Sequence, residues 1–259
     1  MYYGIDIASS GVLTSLARLD AMANNLANID TVGYKPVEAA TMQRDHARRE
    51  DGLHFLPSNA LLERLGGGLL LAPSRVSFRQ GTIDTTGNEL DLAIEGEGFL
   101  VARTSSDANA DSIALTRDGR MTLDDRGRLV LASSGNPIID TAGRPIRLIE
   151  NTPVEIDNRG FIRQDGNIVA QLRFVDLPDR RALRPIGDTL FALDAAAAGN
   201  LRPATGRITQ RAVEGSAVDQ VRALLAVQSA SSAVGANIGT ISYQDRMVER
   251  AINTFARMG

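Results

Sequence analysis

Residues 21–36 read AMANNLANIDTVGYKP. An amphipathic helical segment here runs into two adjacent asparagines, a third asparagine, and a glycine that is followed by an aromatic residue and a lysine. Because glycine after a helical pattern is a stop signal, Gly33 is expected to end the first helix, with Tyr34 packing the chain that leaves it. The three asparagines then require either a chemical or an architectural explanation.

Helical periodicity precedes this stretch and returns at the C-terminal end of the chain. Steps of four and three residues give one stripe from Ile5 and another from Val234. The stripes comprise Ile5, Ser9, Val12, Leu16, Leu19, Ala23 and Leu26, and then Val234, Ile238, Ile241, Asp245, Val248, Ile252 and Phe255. The two terminal helices are expected to pair as in a coiled coil. Periodicity alone leaves open whether they belong to a globular core or to an assembly.

The middle of the chain has a different texture. Short β-rich runs such as FLVAR and AQLRFVDL are separated by glycine turns and prolines, and helical periodicity is missing. The predicted fold class is α+β, with paired, coiled-coil-like N- and C-terminal helices and a central all-β domain. The predicted divisions are an N-terminal helix and turn at 1–45, a variable loop or hairpin at 46–74, the β domain at 75–205 and the C-terminal helix at 206–259.

Two segments of the β region resemble each other. LDDRGRL at 123–129 and IDNRGFI at 156–162 both place an aspartate before a glycine in a tight turn, and each predicts a hairpin. The match is consistent with a duplicated β unit or with the general frequency of such turns.

Composition excludes several functions. The net charge is -3, tryptophan and cysteine are absent and only 4% of residues are aromatic, so we expect neither nucleic-acid binding nor thiolate metal sites. His46 and His54 lie in a polar stretch without a ligand motif, so no metal or cofactor is expected. The chain lacks a membrane-length apolar run and the pattern of a cleaved signal peptide, which predicts a protein that is not embedded in the membrane.

The opening stretch resembles the N-terminal motif of the bacterial flagellar rod and hook family of axial proteins. That motif has an Ala-Asn-Asn-Leu-Ala-Asn core and a Thr-x-Gly-aromatic-Lys turn, and it is matched by Asn24, Asn25, Leu26, Ala27, Asn28, Thr31, Gly33, Tyr34 and Lys35. Two central segments, NELDLAIEGEGFLVAR and the one beginning LTRDGR, are also similar to the family, as is the Glu-Gly-Ser start of the C-terminal segment. Ala217 stands where the family usually has asparagine.

The resemblance implies a structural subunit of the flagellar basal-body rod, of distal rather than proximal type, and not an enzyme. Such a subunit would assemble helically with itself and with other flagellar axial proteins into the shaft that carries torque from motor to hook. It would be exported by the flagellar apparatus without a cleaved signal and would lie in the periplasm-spanning rod. The expected assembly interface comprises Val12, Leu16, Leu19, Asn24, Asn25, Leu26, Asn28, Gly33, Tyr34, Val234, Ile238, Ile241, Val248, Ile252 and Phe255.

Two alternatives remain at this point. One is a hook or hook-associated relative, or an adhesin with the same coiled coil, although the length suits a rod protein better. The other is a secreted β-rich hydrolase that uses turn carboxylates such as Asp124 and Asp157. It would require the two carboxylates to face one cleft about 5 to 9 Å apart.

Overall fold

A computed structural model describes residues 3–46, 49, 52, 55, 66–104 and 113–255. The chain divides into two compact units, a helical unit formed by 1–27, 37–75 and 219–259 and a β unit formed by 28–36 and 76–218. Much of the predicted variable segment at 46–74, including His54, lies outside the described residues.

The terminal helices pair within the helical unit, as the sequence predicts. The helices are α1 (Tyr3–Ala27), α2 (Ala195–Ala198) and α3 (Gln220–Phe255). The side chain of Gln244 lies against Gly4, and that of Asn237 lies against Gly11. Residue numbers in these contacts rise along α1 and fall along α3, so the two helices run antiparallel.

The long C-terminal helix begins later than the sequence indicates. Asp219 precedes it, and the Asp219 carboxylate accepts a hydrogen bond from the Arg222 N–H at 3.0 Å, which satisfies one of the unpaired donors at the helix start. The expected helical segment from residue 206 therefore contains strands up to Glu214.

Strands occupy most of the chain between α1 and α3. They are β1 (Val37–Glu38), β2 (Thr41–Gln43), β3 (Leu69–Leu71), β4 (Arg75–Val76), β5 (Ile83–Thr85), β6 (Leu92–Glu95), β7 (Phe99–Arg103), β8 (Ile113–Thr116), β9 (Met121–Leu123), β10 (Leu129–Leu131), β11 (Val154–Ile156), β12 (Phe161–Gln164), β13 (Asn167–Gln171), β14 (Phe174–Asp176), β15 (Leu183–Gly187), β16 (Leu190–Leu193), β17 (Arg202–Pro203), β18 (Arg207–Gln210) and β19 (Ala212–Glu214). Helices at both ends with strands between them confirm the predicted fold class.

A hairpin accompanies α1 in the helical unit. Strands β2 and β3 pair antiparallel, with Thr41 opposite Leu71. The Leu69 N–H donates to the Ser10 hydroxyl at 3.1 Å, so this hairpin is hydrogen-bonded to the side of α1.

The β unit is built on a six-stranded sheet with the order β15-β16-β8-β7-β14-β17. Successive side chains of a strand point to opposite faces. Accordingly, Leu100 and Ala102 of β7 enter one apolar cluster, whereas Phe99 and Val101 enter another. Both faces of β7 are therefore buried, which explains the continuous apolar run in FLVAR.

The last two strands return to the beginning of the β unit. Strand β18 pairs with β6 and β19 pairs with β5, both antiparallel. This return brings Glu214 next to the segment by which the chain enters the β unit. The Gly33 N–H of that segment donates to the Glu214 carbonyl at 2.7 Å.

The two similar aspartate-glycine segments are both hairpin turns, as predicted. They connect β9 to β10 and β11 to β12, and Gly127 and Gly160 have the positive φ angles of 68° and 81° that such turns require. A third turn of the same kind spans Asp140 to Gly143 outside those hairpins. Its presence favours common turn chemistry over duplication.

Candidate assembly site

Small and polar residues form part of the interface between the two long helices. Gly4, Ala8, Gly11 and Ser15 line one side of α1, and Asn237 donates to the Ser15 hydroxyl at 3.3 Å. Ala8 is buried on α1, as are Ala223 and Ala230 on α3. Small residues allow the helices to approach closely at these positions, where they bury little apolar area.

Large apolar side chains point away from this interface instead. Leu13 is 68% exposed and Leu225 is 63% exposed. We call the full set the outer apolar set; it comprises Leu13, Leu16, Val221, Leu224, Leu225, Ile238, Tyr243, Met247 and Ile252.

The predicted interface residues divide between these two surfaces. Val12, Leu19, Leu26, Val234, Ile241 and Val248 are half-buried within the helical unit. Leu16, Ile238 and Ile252 belong to the exposed set. Phe255 is the last residue of α3, and its side chain lies outside what the structure describes. The sequence stripe therefore combined two faces of the helix pair, because a step of seven residues follows each face equally well.

The three asparagines of the opening stretch have different surroundings. The Asn25 side chain is buried, and it donates to the Val37 carbonyl and accepts from the Val37 N–H, both at 2.8 Å. The Asn28 side chain accepts from the Thr31 hydroxyl at 3.0 Å, whereas Asn24 is exposed. Asn25 thus holds β1 against α1 by imitating a strand partner, which is an architectural role.

Gly33 does not end the first helix, which is a correction to the sequence interpretation. Helix α1 stops at Ala27, and residues 28–36 belong to the β unit. Gly33 has a φ of 70°, and a Cβ there would lie 2.5 Å from the Asp118 backbone nitrogen. Glycine is needed because another segment of backbone passes this close. Half-buried Tyr34 follows, and its carbonyl accepts from the Ala217 N–H at 3.1 Å.

Three motifs that are distant in sequence meet around Gly33. They are the Thr-x-Gly-aromatic-Lys turn, the Thr-Arg-Asp-Gly segment at 116–119 and the Glu-Gly-Ser segment at 214–216. Lys35, Arg117 and Glu214 each come from one motif, and all three side chains are almost completely buried. We call these three residues the charge cluster.

Glu214 is the centre of the charge cluster. Its Oε1 accepts from Lys35 Nζ at 2.6 Å and from the Gly81 N–H at 2.9 Å. Its Oε2 accepts from Arg117 Nη1 at 3.2 Å. One carboxylate is therefore shared by two buried cations.

The two cations are also bound to main-chain carbonyls. Lys35 Nζ donates to the Arg79 carbonyl at 2.6 Å and Arg117 Nη2 donates to the Gly96 carbonyl at 2.6 Å. The guanidinium carbon lies 5.3 Å from the centre of the Phe99 ring, where a cation is attracted to the ring face. Arg117 Nε is buried and has no hydrogen-bond partner.

Burial lowers the pKa of Lys35 below its ordinary value, although the adjacent Glu214 carboxylate acts in the opposite direction. Desolvation of the ammonium thus outweighs its attraction to the carboxylate. The charge cluster therefore fixes which segments meet and adds little net stability, because desolvation offsets the attraction in a buried ion pair. Removing one partner lowers the free energy of unfolding strongly, because it leaves a buried charge unpaired.

The sequence interpretation missed the charge cluster. The signal in the sequence was one charged residue in each motif, namely Lys35, Arg117 and Glu214. Pairing those charges required knowledge that β18 and β19 return to the start of the unit.

Replacing Gly33 by alanine is expected to destabilise the β unit by about 2–4 kcal/mol, from about 1–2 kcal/mol for the left-handed backbone and a similar overpacking term. Gly87 is a matched control, because its φ is 79° but nothing lies within 4 Å of a Cβ there. Gly87→Ala should therefore lose only the backbone part. Urea unfolding of the purified chain measures both, and equal losses would contradict the close approach at Gly33.

The hydrolase alternative fails at its proposed carboxylates. Asp124 Oδ2 accepts from Arg128 Nε at 2.6 Å, and Asp157 Oδ1 accepts from the N–H groups of Arg159 and Phe161. They lie on separate hairpin turns. Desolvation raises the pKa of Asp124, but the hydrogen bonds from Arg128 and Arg126 together outweigh it and hold that pKa below its usual value. Each carboxylate stabilises its own turn.

The described residues contain neither a candidate metal site nor a candidate membrane span. No group of three or more metal-ligating side chains is found in them. The helices of this part of the chain also fall short of the length and apolar character of a membrane span.

Comparison with known proteins agrees with the motif assignments. The family model described as flagella basal body rod protein matches residues 5–35, which include most of α1 and the turn up to Lys35. The chain is 28% identical to the flagellar basal-body rod protein FlgG of Caulobacter vibrioides, over 93% of this chain and 95% of that protein. It is 29% identical to FlgG of Agrobacterium fabrum, with the same coverage.

Other rod proteins match over shorter segments. The flagellar basal-body rod protein FlgF of Caulobacter vibrioides is 32% identical over 47% of this chain and 43% of its own length. The similarity to FlgG proteins extends over nearly the whole chain. The chain is therefore similar to the FlgG-type flagellar basal-body rod proteins over nearly its full length.

Proposed function

We propose that this rod subunit assembles through its helix pair, which forms the inner part of a helical tube while the β unit forms the outer layer. The observation that carries the proposal is the distribution of side chains on α1 and α3. Small and polar residues lie between the helices, whereas the outer apolar set faces solvent in the single chain. Neighbouring copies would bury that set.

Assembly would pair different surfaces of neighbouring copies. The outer apolar residues on α1 of one copy would contact those on α3 of the next. Heterologous contacts whose rotation does not close produce an open helical structure. A tube of this kind could carry torque from motor to hook, since it is held by many identical interfaces along its length.

Similarity to the rod proteins implies assembly with other flagellar axial proteins. We further propose self-association through the predicted interface residues, with Leu16, Ile238 and Ile252 in direct contact with the next copy. Asn25 would act within the subunit by holding β1. A distal position in the rod, a location that spans the periplasm and export by the flagellar apparatus are proposals on the basis of the resemblance.

The rod family is structural and not enzymatic, which removes the hydrolase alternative. A hook role is not favoured, because the flagellar hook protein FlgE of Treponema pallidum matches only 37% of this chain and 21% of its own length.

Antibody labelling of purified basal bodies, combined with deletion of the gene, tests this function. We expect label on the rod by electron microscopy and loss of flagella in the deletion strain, restored by the wild-type copy. Basal bodies without label, in a deletion strain that still swims, would contradict the rod assignment.

A further inference from the structure

An open cleft of about 460 Å³ lies on the β unit, and its lining does not include the charge cluster. Its floor is apolar and includes buried Leu172 and Val175. Arg159, Arg173 and Arg202 all line it. These three come from the turn after β11, the segment before β14 and strand β17, so the fold brings them together.

The cleft has cations but lacks carboxylates among its lining residues. Asn158, Gln171 and Thr141 are the other polar side chains there. The closest carboxylates in sequence have their own partners: Asp157 caps its turn, Asp140 pairs with Arg144 at 3.1 Å and Asp176 pairs with Arg180 at 3.1 Å. Among the described residues, none of the three cleft arginines forms an ion pair, in contrast to Arg128 and Arg180.

Concentrated positive charge in this cleft is unusual for a chain whose net charge is -3. A concave surface with one sign of charge over an apolar floor concentrates the field. Planar guanidinium groups match carboxylates with two parallel hydrogen bonds. An anionic partner would relieve the repulsion among the three cations.

Recognition here depends on side chains more than on strand addition. Strand β17 is the edge of the six-stranded sheet, and it consists of Arg202 and Pro203. Proline has no N–H to donate, which blocks main-chain pairing at that edge. The charges of the arginines therefore decide what binds.

We propose that this cleft binds an acidic peptide segment of a neighbouring axial protein, with Arg159, Arg173 and Arg202 holding its carboxylates. This proposal rests on the proposed function, because it is rod assembly that places another axial protein next to the β unit. The contact would add specificity between outer layers, since matched charges favour the correct neighbour over others.

Fluorescence anisotropy of a labelled hexaglutamate peptide with the full chain tests the proposal. We expect binding that weakens with salt, and about a tenfold or greater loss of affinity in each of Arg159→Gln, Arg173→Gln and Arg202→Gln, since each substitution removes a charge-assisted hydrogen bond to the peptide. A hexaglutamine peptide should not bind. Inorganic phosphate is the competitor, at a concentration that supplies as much negative charge as the hexaglutamate peptide. Displacement of the peptide by phosphate would identify a simple anion site and overturn the peptide assignment.

Arg126→Gln is the matched control. Arg126 is exposed and lies outside the cleft. Its replacement by glutamine changes the net charge by the same amount as each cleft substitution. An equal loss of affinity in this variant would attribute binding to general charge and refute the cleft. These outcomes concern the isolated chain, so their failure leaves the rod assignment intact, whereas basal-body labelling tests that assignment alone.

Discussion

Replacing Glu214 by glutamine is expected to reduce the free energy of unfolding of the β unit by about 3–5 kcal/mol. The substitution keeps the shape of the side chain but removes the carboxylate that contacts both Lys35 and Arg117 in the charge cluster. Two buried cations would then remain without a counter-charge. Urea denaturation followed by circular dichroism measures the loss.

Lys35→Met gives a matched comparison. It removes one cation and leaves Glu214 paired with Arg117, so the remaining charges balance. The expected loss is about 1–3 kcal/mol, because the Arg79 carbonyl and one carboxylate oxygen lose a hydrogen bond. If Lys35→Met were as damaging as Glu214→Gln, the charge imbalance would not be the cause.

The charge cluster shows that the three motifs form one structural unit in the folded chain. The Gly33 N–H donates to the Glu214 carbonyl, and the Ala217 N–H donates to the Tyr34 carbonyl. The segment that follows α1 is thereby bonded to the segment that precedes α3. Gly33 permits the approach, and the buried charges fix which residues meet, because any shift along the chain would separate the lysine from its carboxylate.

Replacing Leu225 by glutamate is expected to abolish rod assembly and leave the single chain folded. Leu225 is 63% exposed, so the free energy of unfolding should change by less than about 0.5 kcal/mol. In an assembled rod the same side chain would be buried against the next copy, and each interface would then hold an unpaired charge. Complementation of a deletion strain, scored by motility and by rods in purified basal bodies, measures the effect.

Leu225→Met is the control, since it retains an apolar side chain of similar volume and should swim normally. Leu16→Asp applies the same test to α1, where the side chain is 40% exposed. Normal rods in both charged variants would show that the outer apolar set is not an assembly surface.

Sequence alone determined the broad plan of this protein. The two helical stripes identified α1 and α3, because amphipathic periodicity is a local property of each segment. The aspartate-glycine segments predicted hairpins for the same reason, and the motif beginning at Asn24 indicated the family. Helix boundaries were less certain, since strands β18 and β19 were included in the expected C-terminal helix.

Only the tertiary structure decided which residues meet. A stripe of seven-residue steps could not separate the small and polar residues between the helices from the outer apolar set, because packing partners and not spacing determine burial. Nor could it reveal that Gly33 accommodates the backbone at Asp118, or that the one carboxylate of Glu214 contacts both Lys35 and Arg117. These are contacts between distant parts of the chain, and they exist only after the strands have paired.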